Sequence, residues 1–308
     1  MSGTSDFAAQ SIAKGSKSFA MAAKLFDRRT RDSVVKLYAW CRHCDDVVDG
    51  QEAGSAARVQ DERSELERIE GLRRDTALAF EGETEGLHPS FAALADVVKR
   101  HRLPRGDAQA HLAGFQMDVE GRTYETLDDL LLYCFRVAGV VGVMMARIMG
   151  VRDDATLDRA SDLGLAFQLT NIARDVVDDA RAGRVYLPLE WLREEGLTLK
   201  ALTDPANRAA VARLRRRLVS AAEPYYESAR IGIDALPPRS AWAVGSAHGI
   251  YRAIGLNLVA KGQGAFAQRV STTKPEKLLH VARGFRMAVF RGGGTAERDP
   301  ALWTRERG

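Results

Sequence analysis

Two short acidic rows stand far apart in this chain. The first is Arg42-His43-Cys44-Asp45-Asp46-Val47-Val48-Asp49, and the second is Asn171-Ile172-Ala173-Arg174-Asp175-Val176-Val177-Asp178-Asp179. Each holds aspartates at i and i+4, Asp45 with Asp49 and Asp175 with Asp179. Residues four apart lie on one face of a helix. Like charges there repel and aspartate is a poor helix former, so stability alone does not select this pattern, still less twice. Asn171, four before Asp175, extends the second row by one turn. Two such rows facing one another across a helical cavity make a hard-oxygen site that suits magnesium, with manganese as a substitute. His43 lies within the first row but off its i/i+4 face. Neither row carries the Glu-x-x-His motif of di-iron bundles, and zinc would want His or Cys. The bland reading of either row alone is a solvated helix face. Two rows, each with its own arginine (Arg42 and Arg174), weaken that reading.

Other residues fit an anion site less specifically. Gly15-Ser16-Lys17-Ser18-Phe19 joins small residues, two hydroxyls and a cation, a set able to hold phosphate oxygens, although Ser and Lys are common on any surface. Gln168 stands one turn before Asn171 on the same side. Cys41-x-x-Cys44 overlaps the first row, but no second cysteine pair accompanies it and it sits in a helical pattern. It reads as core packing, not redox chemistry.

The elements that must carry these rows are helices. Val34, Val35, Tyr38 and Cys41 recur on one face of a segment that runs on to Asp49. Pro89 suits the first turn of a helix reaching Arg100, and Thr126 is a fitting N-cap for the apolar run from Leu130. Further helices are expected over 6–25, 58–80, 104–119, 154–180, 205–235, 238–262 and 275–290. Alternating strand patterns and hairpin turns are absent. The expected fold is all-α, one domain over 1–290 with a flexible tail over 291–308 after Gly292-Gly293-Gly294.

Composition narrows the class. With 308 residues, 45% of them hydrophobic, the chain can bury a large core. A net charge of +4 does not argue for nucleic acid. Arg213, Arg215, Arg216, Arg217 and the arginines from Arg283 on read as solvated faces or as weak attraction to an anionic membrane. Three cysteines make no disulfide framework, and Lys14 and Lys17 break any signal-like apolar stretch, so a cytoplasmic setting is expected. Leu130–Met149 tempts a transmembrane reading, but Arg136, Arg147, Gly139 and Gly142 interrupt it, and a buried helix is expected. Its Val137, Ala138, Gly139, Val140 and Gly142 suit either a long hydrocarbon ligand or helix packing.

At these residues the chain resembles the squalene and phytoene synthase family. The resemblance rests on Tyr38-Ala39-Trp40-Cys41-Arg42, on Tyr133 through Gly142, on Gln168-Leu169-Thr170-Asn171-Ile172-Ala173-Arg174-Asp175, on Arg184 through Pro188, and on Tyr251-Arg252-Ala253-Ile254. It runs from about Gly15 to about Pro275; Gly15–Phe19 and Ser271–Pro275 are similar to the bacterial phytoene synthases. Asp178 stands where many relatives carry Glu, and no motif matches after Phe290.

The resemblance implies the isoprenoid-synthase fold, a helical bundle around a deep central cavity. It implies head-to-head condensation of two geranylgeranyl diphosphates through prephytoene diphosphate to phytoene, the first committed step of carotenoid biosynthesis. Magnesium would sit on Asp45, Asp49, Asn171, Asp175 and Asp179, the four aspartates acting in catalysis through it. Ser16, Lys17, Ser18, Arg42, Arg174 and Arg184 would hold diphosphate oxygens, Arg184 from a loop over 183–188. Phe19, Tyr38 and Tyr251 would face the allylic cation. Asp46, Gln168, Asp178, Tyr186 and Arg252 complete the implied substrate set. No NADPH requirement and no nucleic-acid partner are expected, while peripheral membrane contact and contact with other carotenoid-pathway enzymes are compatible with it.

Three rival readings remain. One is a squalene- or dehydrosqualene-type synthase using farnesyl diphosphate. Another is a head-to-tail prenyltransferase or terpene cyclase, which the Tyr-Ala-x-Cys-Arg and Asn-Ile-x-Arg-Asp contexts disfavour. The third is a non-catalytic helical adaptor at a membrane surface.

Overall fold

A computed structural model describes residues 7–8, 11, 21–52, 55–58, 64–266, 268–292 and 296–305, and helices build nearly all of them. Helix α1, Arg28–Asp49, starts where the Asp27 carboxylate accepts from the Arg29 and Thr30 amides and stops at Gly50, which takes a left-handed φ of 63°. Then follow α2 (Glu65–Glu81), α3 (Pro89–His101) and α4 (Arg105–Val119). The apolar run divides into α5 (Leu127–Cys134), one π turn (Phe135–Gly139) and α6 (Val140–Ile148). Helix α7, Asp154–Arg181, is the longest described; α8 (Leu189–Glu194), α9 (Arg208–Ile233), α10 (Pro238–Lys261) and α11 (Lys274–Val289) complete the set.

Several expectations are corrected. A two-stranded ribbon, β1 (Gln51–Glu52) against β2 (Ser55–Arg58), follows α1 where no strand was foreseen. The helix expected from 58 begins only at Glu65, because Ser64 and Glu67 form a reciprocal capping box there. The segment from 205 opens as a 3-10 turn, Pro205–Asn207, before α9. The short α8 was not foreseen. Most of the helix expected over 6–25 lies outside the described residues. Thr126 caps α5 as expected, in a box with Asp129.

Glycines bring α6 onto α7 at backbone distance. A Cβ on Gly142 would lie 2.4 Å from the Ala160 carbonyl oxygen, and one on Gly164 2.4 Å from that of Ala138. Leu127–Ile148 is long and apolar enough to cross a membrane, yet half of its most apolar window is buried among the other helices. Arg147 there pairs with Asp107 at 3.2 Å, and Arg136 reaches the Met117 sulfur. Two apolar clusters flank α7, one around Trp40, Leu94 and Met144, the other around Leu169, Leu214 and Tyr226.

Residues 296–305 of the expected flexible tail are instead docked. Arg298 donates twice to the buried Asp162 carboxylate, at 2.8 and 2.7 Å. Arg305 pairs with Asp154 at 2.7 Å and Asp158 at 2.8 Å, and the Trp303 ring meets Phe135 at 5.3 Å. Buried carboxylates on α7 are costly unless paired, and residues 296–305 supply the cations.

Candidate active site

A cavity of about 530 Å³ lies between α1, α4, α6, α7, α9 and α10. It follows α7 from Thr156 to Asn171. At 1.5 Å per residue that is a length of about 22 Å. One end is polar, with Arg42 and Asp45 of α1, Asp118 of α4, and Gln168 and Asn171 of α7; the other is apolar, with Phe26, Val34, Met149, Ile233, Leu236 and Val244. Val137, Ala138 and Gly142 border it, so the small residues of the apolar run serve both the cavity and the α6–α7 approach.

The first row is tied up with arginines. Arg42 bonds Asp45 at 2.9 Å and Asp46 at 2.7 Å, while Asp49 accepts from Arg184 at 2.8 Å. Burial pushes the Asp45 carboxyl up to about 6; Arg42 opposes the rise, and Asp49, Asp46 and Asp118 add to it. The second row shows opposite behaviour at its two acids. Burial would raise Asp175, but Arg174 (2.8 and 2.5 Å) and Arg269 (3.1 Å twice) outweigh it and hold its pKa below the usual range. Asp179 is pushed up to about 7 by burial first and then by Asp175, with Arg184 opposing. Gly183, at φ 80°, turns the chain after α7, and Arg184 thereby acts on both rows.

Two aromatic surfaces border the mid-cavity: Tyr38, and Tyr251 stacked on Phe167 with centroids 4.2 Å apart. Phe167 was not foreseen. Neither was Asp118, whose two oxygens accept from Tyr186 at 2.8 Å and Tyr133 at 3.1 Å while those two rings stack 5.0 Å apart. Burial pushes Asp118 up to about 6, against the pull of both tyrosines and Arg184. Nothing marks Asp118 in the sequence, since it has no acidic i/i+4 partner; Arg269 likewise lies in an irregular segment between helices. Tyr133 opens one of the quoted motifs, which was its only signal.

Some expected residues lie elsewhere. Arg252 is not at the cavity: Glu223 (2.6 Å) and Glu227 (3.0 Å) on α9 take its guanidinium. Asp178 is exposed and pairs with Arg181 at 3.2 Å, one position round the helix from the cavity face. Asp46 and Tyr186 do not line the cavity and act by holding Arg42 and Asp118. Ser16, Lys17, Ser18 and Phe19 lie outside the described residues. His43 stacks on His88 at 3.8 Å, and burial lowers its pKa to about 3. Burial drives the Cys41 and Cys44 thiols far up, which leaves them unreactive packing groups.

Among the described residues no three His, Cys, Asp or Glu side chains converge into a ready metal cage. The donors are all oxygens, and Asp45 and Asp179 lie in surroundings that penalise their charge. That fits a magnesium ion, which takes one or two carboxylates and completes its shell with water and substrate phosphate.

The squalene/phytoene synthase family model matches residues 12–276. A 15-cis-phytoene synthase of Enterobacter agglomerans is 54% identical over 94% of this chain and 98% of its own length. One of Pantoea ananas is 52% identical over 97% and 96%. Among solved structures, a dehydrosqualene synthase in complex with a ligand superposes with a TM-score of 0.80 at 28% identity, covering 91% of this chain and 95% of that one. A squalene synthase of Alicyclobacillus acidocaldarius, at 24% identity and TM-score 0.72 over 86% and 95%, shares the fold.

Proposed function

This chain belongs to the squalene/phytoene synthase family, and from that premise we propose that it is a phytoene synthase, joining two geranylgeranyl diphosphates head to head. The observation that carries the reading is a long apolar cavity whose polar end takes Asp45 from the first row and Asn171 from the second, while Asp49, Asp175 and Asp179 stand on the same two helices outside its lining, in a chain more than half identical to relatives named for that reaction.

Asp45, Asp49, Asn171, Asp175 and Asp179 are the residues that would hold magnesium. When bound, magnesium offsets the charge that develops on departing diphosphate. Arg42, Arg174, Arg184 and Arg269 converge on the same rows and would hold diphosphate oxygens by charge-assisted bonds. Apolar walls keep water from the allylic cation, and the faces of Tyr38, Phe167 and Tyr251 stabilise its positive charge. Two ionisations release two diphosphates, and the second cation rearranges and gives up a proton to a base. The released diphosphate beside Arg42 and Arg174 is that base, so no hydride donor enters. The protein works in the cytoplasm, soluble or bound peripherally to a membrane.

The test is incubation with C20 and C15 diphosphates in magnesium, with and without NADPH. The expected product comes from the C20 substrate alone, carries a central conjugated triene seen by ultraviolet absorbance, and forms without NADPH. A strict NADPH requirement, or a clear kcat/KM preference for farnesyl diphosphate, overturns the proposal.

A further inference from the structure

Helix α11 and the residue after it carry most of the large apolar side chains that the described residues leave in water. Leu278, Leu279, Phe285 and Val289, with Phe290 just beyond, are 49–75% exposed. Elsewhere among the described residues, Leu66, Leu199 and Leu256 alone join that class. Leu278, Ala282, Phe285 and Val289 recur at i, i+4, i+7 and i+11, which is one stripe along a helix. This is not the helix's core face. Gly284 and Ala288 are buried on the other side, where the Trp242 indole of α10 donates to the Val281 carbonyl at 2.9 Å and a Cβ on Gly284 would come within 2.5 Å of Ser246 Oγ.

The charge around the stripe has one sign. Lys274, Lys277, Arg283 and Arg286 stand on α11 against a single acid, Glu276. That carboxylate is already occupied by the Thr273 cap at 2.6 and 2.8 Å and by the Asn257 amide at 3.0 Å. An exposed apolar stripe flanked by uncompensated cations is what lies flat in the headgroup region of an anionic membrane. A second copy of the chain would bring two such cation sets together, which disfavours self-pairing through this face.

The stripe also has a meaningful position. Arg291, directly after α11, donates to the Leu236 carbonyl at 2.9 Å, and Leu236 forms part of the apolar end of the cavity. A second hollow beside Arg291 shares Met149 and Leu236 with the apolar end of that cavity.

We propose that α11 docks the protein on an anionic lipid bilayer through Leu278, Phe285, Val289 and Phe290, with Lys274, Arg283 and Arg286 meeting the headgroups. This deepens the peripheral-membrane part of the reading above, but its test reads binding instead of turnover, so the two fail separately. The full chain is co-sedimented with phosphatidylcholine vesicles with and without phosphatidylglycerol, at low and high salt. The wild type should sediment with the anionic vesicles and be released by salt. Arg283→Gln with Arg286→Gln should lower the partition by about thirtyfold, at the attraction usual for a cation near such a surface. Leu278→Glu with Val289→Glu should abolish sedimentation, while both pairs keep the wild-type melting temperature and turnover in detergent. Equal binding of either pair and the wild type, or equal binding to neutral and anionic vesicles, overturns the proposal. So does a wild-type dimer in sedimentation velocity that Leu278→Glu with Val289→Glu turns into a monomer.

Discussion

Asp118→Asn should separate stability from turnover. The Asp118 carboxyl is pushed from 3.8 up to about 6, chiefly by burial and despite bonds from Tyr133 and Tyr186. A raised carboxyl pKa means that the folded state prefers the protonated form. The resulting stability is therefore full below pH 4 and is lost as pH rises through 6. At pH 7 the ionised group costs the fold on the order of 3 kcal/mol, at about 1.4 kcal/mol per unit. Asparagine removes the charge at nearly constant volume. It also keeps only one acceptor, so one tyrosine hydroxyl loses its partner, at about 1–3 kcal/mol. The net effect lies between cancellation and about 2 kcal/mol in the variant's favour, a rise of at most about 4 °C in melting temperature at pH 7 for a chain of this size. That advantage should shrink as pH falls below 6, where the wild-type carboxyl takes up its proton. Turnover should go the other way. Tyr186 and Arg184 lose the anion that holds them beside the first row, and misplacement on the scale of an ångström costs about 100-fold in rate. Thermal melts from pH 5 to 8 beside a turnover assay decide it. A variant that melts well below the wild type at pH 7, or that keeps near-normal turnover, refutes the reasoning.

Three further outcomes can be measured. Alanine at Asp45, Asp49, Asp175 or Asp179 should lower turnover by about 100- to 1,000-fold while the chain still folds and melts cooperatively, as should chelation of magnesium from the wild type; near-normal rates in any two variants at saturating magnesium would contradict the assignment. Gly142→Ala sets a methyl 2.4 Å from the Ala160 carbonyl oxygen and must push α6 off α7, so denaturant melts should show a loss of about 1–3 kcal/mol, and an unchanged midpoint would be fatal to that account. Burial lowers the pKa of His111 to about 4, so the unfolded chain binds the extra proton; stability should fall as pH drops from about 6.5 towards 4, by on the order of 3 kcal/mol, and His111→Gln should flatten that acid limb.

The parts of this molecule legible in the sequence are those whose cause is local. An i/i+4 pair of aspartates and the apolar face beside it sit on one helix, so α1 and α7 and the side they present could be read from spacing alone. The corrections came where a partner distant in sequence decides. Asp118 matters because Tyr133 and Tyr186 fold onto it, and Arg269 because its segment crosses to Asp175; neither contact leaves a periodicity. The C-terminal segment looked detachable after three glycines, and the acid that holds it, Asp162, lies 136 positions away. Arg252 shows the converse. A matching motif placed it in the site, yet the two glutamates one helix over hold it elsewhere. The ribbon after α1 escaped notice because two-residue and four-residue strands are too short to alternate visibly.

If the proposed function holds, the pairing inside the site explains why magnesium and diphosphate should arrive together. The acids and arginines of the site neutralise one another: Arg42 with Asp45, Arg184 with Asp49, and Arg174 and Arg269 with Asp175. A divalent cation alone would draw the carboxylates and leave half-buried guanidinium groups without anions. A diphosphate alone would draw the guanidiniums and strand the carboxylates, two of which, Asp45 and Asp179, burial already pushes up to about 6 and about 7. These pairs are partly exposed, so stranding one partner costs less than in a dry core but still disfavours either ligand alone. Magnesium and diphosphate entering together exchange each internal ion pair for two external ones and strand nothing. On the proposed function the site would therefore bind the ion and the anion as one coupled unit, each raising the affinity for the other by the same factor.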